Sequence, residues 1–121
     1  MAHADDLTVR ERDGVTIVRF NTESLMGHDV EHLNDRIRAL IEGGARRVVL
    51  DFKHVRYAGS ATLGMMLSLL KIVEKAGGRM ALSHVEDLGP LLKVTRADRL
   101  FTVAPDAKTA VELLNGMKIS T

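Results

Sequence analysis

The sequence predicts an α/β protein with a four- or five-stranded mixed sheet and with helices mainly on one face of that sheet. Short β-prone runs alternate with segments of helical periodicity, in the order β-β-α-β-α-β-α-β-α. Strands that are joined through helices form parallel pairs by right-handed crossovers. One turn signal, Asp13-Gly14, predicts instead an antiparallel hairpin of the first two strands at an edge of the sheet. The length of 121 residues suits a single domain, residues 1–121, with one core.

The first half of the chain contains three of the predicted strands and one helix. Leu7–Arg12 and Val15–Phe20 are the strands of the hairpin, and residues 21–27 are predicted as a loop. Apolar residues then recur at helical spacing until Gly43-Gly44, a pair that favours the end of a helix. Arg47–Phe52 contains the apolar run of a strand that is buried on both faces. The buried side of the first helix is predicted to consist of Val30, Leu33, Ile37, Leu40 and Ile41.

The second half of the chain continues the alternation of strands and helices. A long helix is predicted from near Ser60 to the glycines Gly77-Gly78. The remaining predicted elements are a strand over residues 79–84, a short helix over residues 86–95, a strand over residues 101–103 and a helix over residues 105–116. Pro90 falls in the first turn of the short helix, where its missing N–H costs little.

The composition is that of an ordinary globular protein and excludes several functional classes. Apolar residues make up 45% of the chain, charged residues 27%, and the net charge is +1. With both signs of charge mixed and only 3% aromatic residues, the chain lacks the basic stripe and the stacking surface of a nucleic-acid binder. It has no cysteine for disulfides or thiolate metal sites. Since no apolar run approaches the ~20 residues of a membrane span, we expect a cytoplasmic protein without membrane insertion.

Two catalytic motifs match the strand-to-helix junction around Ser60 only in part. Gly59 and Gly64 have the glycine spacing of a phosphate-binding loop, but Met65 and Met66 stand where that loop needs lysine and then serine or threonine. A nucleophile elbow would need glycines two residues to either side of Ser60, and neither is present. The sequence therefore predicts no catalytic residue and no cofactor, and we expect that the protein is not an enzyme.

The segment His28-Asp-Val-Glu31-His32 matches the inverted zinc-protease motif. The apolar residues of the same helix define its buried side, and at ~100° per residue the two histidines fall roughly opposite that side. A catalytic zinc ion needs a third protein ligand and a sheltered site. The pattern therefore indicates a solvent-facing first turn, and we predict no metal site.

Ser60 has a purely structural interpretation as the N-cap of the helix that follows it, a role worth ~1 kcal/mol. That helix, however, has an apolar arc of roughly 220°, wider than one contact with a sheet requires. One stripe consists of Leu63, Met66, Leu67, Leu70 and Val73, and a second of Met65, Leu69, Ile72 and Ala76. The second stripe must meet a neighbouring helix or a partner protein, and we expect a neighbouring helix.

The junction resembles a motif of the STAS domain family, which is named for sulfate transporters and anti-sigma factor antagonists. In that family an apolar strand precedes the pattern aromatic-x-Asp-Ser-Ser/Thr-Gly-Leu-Gly, and a helix follows. Here Val48–Asp51 is the strand, and Tyr57-Ala-Gly-Ser-Ala-Thr-Leu-Gly64 is the junction. The order of elements matches from Leu7 to Leu114. The sequence thus resembles the small stand-alone anti-sigma factor antagonists, which implies a single STAS-like domain.

This resemblance implies a non-enzymatic regulator that is switched by phosphorylation of Ser60. The implied partner is a serine kinase of the histidine-kinase-like ATPase superfamily that is also an anti-sigma factor. A metal-dependent serine phosphatase would reset the switch. The residues implied to contact the partner are Gly59, Ser60, Ala61, Thr62 and Met65.

Two positions depart from the family motif, and two other functions stay open. Gly59 replaces an aspartate that helps to position the phosphorylated serine in the family, and Thr62 replaces a glycine. The change at Gly59 favours a constitutive STAS scaffold or transporter-associated subunit that is not phosphorylated. The other alternative is a small-ligand or nucleotide-binding module that uses the helix N-terminus.

Overall fold

The structure, a computed structural model, describes residues 6–116. Its strands and helices are β1 (Leu7–Arg12), β2 (Val15–Phe20), β3 (Ser24–Leu25), α1 (His28–Glu42), β4 (Arg47–Asp51), β5 (Tyr57–Ala58), α2 (Ser60–Lys75), β6 (Arg79–Ser83), α3 (Gly89–Val94), β7 (Thr102–Ala104) and α4 (Ala107–Gly116). Short 3₁₀ turns occupy Glu86–Leu88 and Ala97–Arg99. Over this range, no helix has the length and apolar character needed to cross a membrane.

Five strands form one mixed sheet in the order β1-β2-β4-β6-β7. β1 and β2 pair antiparallel, and every other neighbouring pair in this sheet is parallel. β4 lies at the centre, where Leu50 is flanked by Val18 of β2 and Leu82 of β6. The predicted mixed sheet, with the hairpin at one edge, is confirmed.

The hairpin turn has the backbone conformation that its sequence predicts. The dihedral angle φ is 53° at Asp13 and 81° at Gly14. A type I′ turn requires positive φ at both central residues, and aspartate followed by glycine adopts such angles more readily than most pairs do. The local sequence therefore determines the register of β1 against β2.

The sheet is covered on both faces, and three of the four α-helices in residues 6–116 lie on one of them. α1, α2 and α3 pack on the face that carries Val48 and Leu50, whereas α4 packs on the opposite face against Val49. Successive side chains of a strand point to opposite faces, so an all-apolar strand needs cover on both. The helices lie mainly on one face, as predicted, and α4 supplies the cover that the other face requires.

The structure differs from the predicted elements in several places. Residues 21–27, predicted as a loop, contain β3, which pairs in parallel with β5 immediately before α2. The helix predicted over residues 86–95 is a 3₁₀ turn followed by α3, because Pro90 has no N–H to continue an α-helical ladder from the preceding turn. β7 lies one residue further along the chain than the predicted strand. Strands of two residues are too short to produce a periodic signal, so β3 and β5 were not predictable from pattern alone.

Candidate functional site

Ser60 is the first residue of α2, at the edge of the sheet where the parallel strands end. Gly59 occupies the N-cap position, with extended backbone angles of φ −133° and ψ −162°. The interpretation of Ser60 as the N-cap is therefore wrong, because the cap lies one residue earlier and makes no side-chain hydrogen bond. Thr62 and Leu63 instead donate their backbone N–H groups to the Gly59 carbonyl.

The Ser60 side chain is exposed, and its hydroxyl makes no hydrogen bond to any residue of the described range. It stands at the positive end of the α2 dipole, where a negative charge is stabilised. The hydroxyl is thus accessible to another protein and is not needed to hold the helix. This is the geometry required of a modifiable side chain.

Two large apolar side chains are exposed close to Ser60, one in contact range of Gly59 and the other three residues earlier in the chain. Met26 is 51% exposed and Tyr57 is 60% exposed. The methyl group of Met26 lies 3.5 Å from the position that a Cβ atom would take at Gly59. Together with exposed Ala61 these residues form what we call the Ser60 surface: Met26, Tyr57, Gly59, Ser60 and Ala61. Exposed apolar groups of this kind are common at docking sites, and sequence reasoning missed Met26 because it lies in a predicted loop.

Thr62, one of the predicted contact residues, lies inside the protein. Its side chain is fully buried, and its hydroxyl donates a 2.5 Å hydrogen bond to the Leu25 carbonyl of β3. Because it is buried, the Thr62 side chain does not form part of the surface that a partner would meet. The hydroxyl ties the first turn of α2, which contains Ser60, to β3.

Met65, another predicted contact residue, is only 4% exposed and belongs to the main core. Met65 faces Val30 and Asn34 of α1 across the space between the two helices, so the prediction that the second stripe faces a neighbouring helix is confirmed for this residue. Ile72 is half-buried and Ala76 is exposed, so the burial of the second stripe decreases towards the end of α2. Met65 thus supports the surface rather than forming it.

A groove of about 520 Å³ lies between the N-terminal halves of α1 and α2, next to the Ser60 surface. We call it the α1–α2 groove. Its lining includes Val30, Glu31 and Asn34 of α1 and Ala61, Gly64 and Met65 of α2. The groove and the Ser60 surface share Ala61, so they form one continuous face.

A buried carboxylate anchors the chain at the end of β4, ahead of this face. Asp51 is fully buried, and one of its oxygens accepts a 3.0 Å hydrogen bond from Nε of Arg19 on the neighbouring strand. Its other oxygen accepts the backbone N–H of Lys53 at 3.1 Å. A buried charge with two such partners holds the connection between β4 and β5 in place.

The structure shows the surroundings of the two partial motif matches, the phosphate-binding loop and the inverted zinc-protease motif. Met65 and Met66, at the positions where a phosphate-binding loop has lysine and a hydroxyl residue, are both buried. His32 is exposed on α1, and the His28 side chain lies outside the described part of the structure. Within residues 6–116, no three histidine, cysteine, aspartate or glutamate side chains are grouped so as to hold a metal ion.

Comparison with known proteins gives a family and named relatives. A family model described as "STAS domain" matches residues 6–110. A protein of Paenibacillus polymyxa named anti-sigma F factor antagonist is 27% identical over 111 residues, which cover 88% of this chain and 89% of that protein. The residues that match the family model include β1 to β7, Ser60 and the α1–α2 groove.

Solved structures share the same fold. An anti-sigma-factor antagonist (STAS) domain protein from Planctomyces limnophilus superimposes with a TM-score of 0.80 at 24% identity, over 90% of this chain and 97% of that one. The Bacillus cell fate determinant SpoIIAA in its phosphorylated form superimposes with a TM-score of 0.68 at 15% identity, over 88% of this chain and 98% of that one. At these identities the likeness establishes the fold.

Proposed function

The chain belongs to the STAS domain family, and on that premise we propose that it acts in the cytoplasm as a non-enzymatic regulator, an anti-sigma factor antagonist. In its unmodified state it docks through the Ser60 surface onto a serine kinase that is also an anti-sigma factor. The kinase belongs to the histidine-kinase-like ATPase superfamily. Phosphorylation of Ser60 ends the docking, and a metal-dependent serine phosphatase restores it.

The observation that carries this proposal is the exposed Ser60 hydroxyl at the start of α2, without an internal hydrogen bond in the described range. The hydroxyl oxygen attacks the γ-phosphorus of ATP on the kinase, its proton passes to a base of the kinase, and ADP leaves. All catalytic groups come from the kinase, so this chain needs only an accessible acceptor. The curated relative's name, anti-sigma F factor antagonist, supports the same role.

The fold accounts for a switch that changes binding without unfolding the domain. A phosphate adds about −1.5 to −2 charges at neutral pH. At the N-terminus of α2 the helix dipole stabilises that charge, so the domain keeps its structure. A docked partner would have to bury the phosphate against Met26 and Tyr57, which are apolar and exposed. Because burying an unpaired charge is costly, the partner dissociates.

A second function, the constitutive scaffold, is favoured by Gly59. Glycine at the N-cap of α2 provides no side chain to orient Ser60 for a kinase. A scaffold would use the same surface and bind its partner whether or not ATP is present. The two functions therefore differ in the modification of Ser60 and not in the place of docking.

The test is incubation of the purified protein with ATP and a purified serine kinase of this class encoded beside its gene. We expect mass spectrometry to find one phosphate, on Ser60, and calorimetry to find tight binding of the unphosphorylated form alone. Ser60→Ala should stay unmodified. Ser24→Ala removes an exposed hydroxyl on neighbouring β3 and should be phosphorylated like wild type. Binding with no phosphate ever found on Ser60 would leave the scaffold as the function.

A further inference from the structure

Gly64 lies in the interior of α2, on the α1–α2 groove, although glycine destabilises a helix interior relative to alanine. A Cβ atom placed at Gly64 would have no heavy atom within 4 Å. Gly78 is different, because a Cβ there would collide with the Arg46 carbonyl oxygen. Packing therefore explains Gly78 but does not explain Gly64. Because Gly64 has no side chain, the α1–α2 groove stays open at this position.

The walls of the groove have a distinct chemistry. Val30, Ala61 and Met65 give it apolar surface, and Asn34 and Ser68 add an amide and a hydroxyl. Among the described lining residues, Glu31 is the only charged one, and it is exposed at the rim. A largely apolar, open groove with one carboxylate at its rim complements a long side chain with an aliphatic stem and a cationic head.

We propose that the α1–α2 groove receives a basic side chain of the docking partner, an arginine or a lysine, whose stem lies over Gly64 and whose cation pairs with Glu31. The inference rests on the proposed function, since it names how the partner is held. The contact belongs to the unmodified form. Ser60 is one helical turn before Gly64 on the same side of α2, so a phosphate on Ser60 would stand at the mouth of the groove.

The first test fills the groove and measures binding of the anti-sigma kinase by calorimetry. Gly64→Leu should remain folded, because the space around Gly64 is open, and should weaken binding about 30-fold, the loss typical of a displaced interface anchor. Ala39→Leu adds similar apolar bulk to an exposed position of α1 outside the groove and should leave binding within about twofold. Folded Gly64→Leu that binds like Ala39→Leu would overturn the proposal.

The second test changes the charge at the rim. Glu31→Lys should weaken binding about tenfold at low salt and less at high salt, because a cation would then meet a cation. Glu31→Gln should have a smaller effect of the same sign. Asp35→Lys makes the same charge change at an exposed position of α1 outside the groove, and it should have at most about a threefold effect. Equal losses of affinity in Glu31→Lys and Asp35→Lys would overturn the proposal, because they would show that the partner responds to the overall charge of α1 and not to the charge at the groove.

A third measurement separates failure of the inference from failure of the proposed function. ¹⁵N-labelled protein is titrated with N-acetylarginine amide and with N-acetylnorleucine amide, which has the stem without the charge. We expect the arginine probe alone to shift the backbone amides of Ala61 and Gly64, and Gly64→Leu to abolish those shifts. If the kinase does not bind wild type, the proposed function fails. The titration still shows whether the groove binds a basic side chain. No arginine-specific shifts at these amides would overturn the inference even if Ser60 is phosphorylated.

Discussion

The Thr62 hydroxyl donates a hydrogen bond to the Leu25 carbonyl, and this one bond joins segments that are 37 residues apart in the chain. Both residues are buried, although Leu25 directly precedes the exposed Met26 and Thr62 lies two residues after the exposed Ser60. The bond links β3 to the first turn of α2, next to the short pairing of β3 with β5. The parts of the Ser60 surface are therefore held together by an interaction that the surface itself does not display.

Thr62→Val tests the importance of this bond. Valine has nearly the same shape, but it leaves the buried Leu25 carbonyl without its donor, so we expect a loss of about 1–3 kcal/mol in the free energy of unfolding. Urea denaturation measures it. Thr102→Val, the same change at a half-buried position of edge strand β7, should stay within about 0.5 kcal/mol of wild type. Equal stabilities of the two variants would show that the Thr62 hydroxyl is dispensable.

Gly59→Asp restores the residue that the family motif has at this position. The backbone is extended and a Cβ atom would make ordinary contact with Met26, so aspartate fits without strain. As an N-cap it should add a few tenths of a kcal/mol, roughly 0.3, to stability, and we expect faster phosphorylation of Ser60 in an initial-rate assay. Gly59→Asn caps the helix without the charge. If Asn and Asp accelerate the reaction equally, capping and not the carboxylate positions Ser60.

Ser60 variants separate the role in docking from a role in stability. Because Gly59 is the cap, Ser60→Ala and Ser60→Asp should both change the unfolding free energy by less than about 0.5 kcal/mol. Ser60→Ala should bind the kinase like wild type. Ser60→Asp carries one charge and fewer acceptor oxygens than phosphate, so it should weaken binding less than phosphorylation does. A cap-sized loss of stability in Ser60→Ala would contradict the observed position of the helix start.

Arg19→Met removes a partner from the buried Asp51 carboxylate. Since Asp51 is fully buried and the Arg19 side chain is 29% exposed, we expect a loss of about 2 kcal/mol in thermal or urea unfolding, as for a hydrogen bond to a charged group. Arg38→Met is the matched control. Its ion pair with Glu42 is exposed on both sides, so its loss should cost less than about 0.5 kcal/mol. If Arg19→Met and Arg38→Met lose similar amounts of unfolding free energy, the buried ion pair contributes no more to stability than the exposed one.

The lowered pKa of the Asp106 carboxyl should make the thermal stability of the protein depend on pH. The backbone N–H of Thr109 donates a 2.8 Å hydrogen bond to Asp106, which lowers the pKa of this carboxyl below its ordinary value. Stability from a lowered pKa is complete above the unfolded-state pKa of about 3.9 and is lost as the pH falls through the folded-state pKa. Asp106→Ala should therefore lower the thermal midpoint at pH 7, with a difference from wild type that shrinks below about pH 4.

Asp106→Asn is the control for this effect, because asparagine accepts the same hydrogen bond and does not titrate. Its thermal midpoint relative to wild type should rise as the pH falls below about 4. A difference between wild type and Asp106→Ala that is constant from neutral to strongly acidic pH would rule out Asp106 as the titrating group.

The sequence by itself determined the features whose physical cause is local. Asp13-Gly14 favours positive φ, Gly43-Gly44 ends a helix, and the apolar run Val48–Leu50 requires cover on both faces. Each of these signals acts within a few residues of chain, and each was predictable for that reason. The position of Ser60 at a strand-to-helix junction was predictable in the same way, because an apolar strand run ends before it and helical spacing of apolar residues begins after it.

Only the tertiary structure decided which side chains of the junction reach the surface. In the sequence Thr62 is a polar residue in a first helical turn and Met26 is an apolar residue in a loop, which suggests the reverse of what is found: Thr62 is buried and Met26 is exposed. The cause is β3, a two-residue strand that exists because β5 pairs with it and Thr62 bonds to it. Burial depends on neighbours that are distant along the chain, and no local pattern contains them.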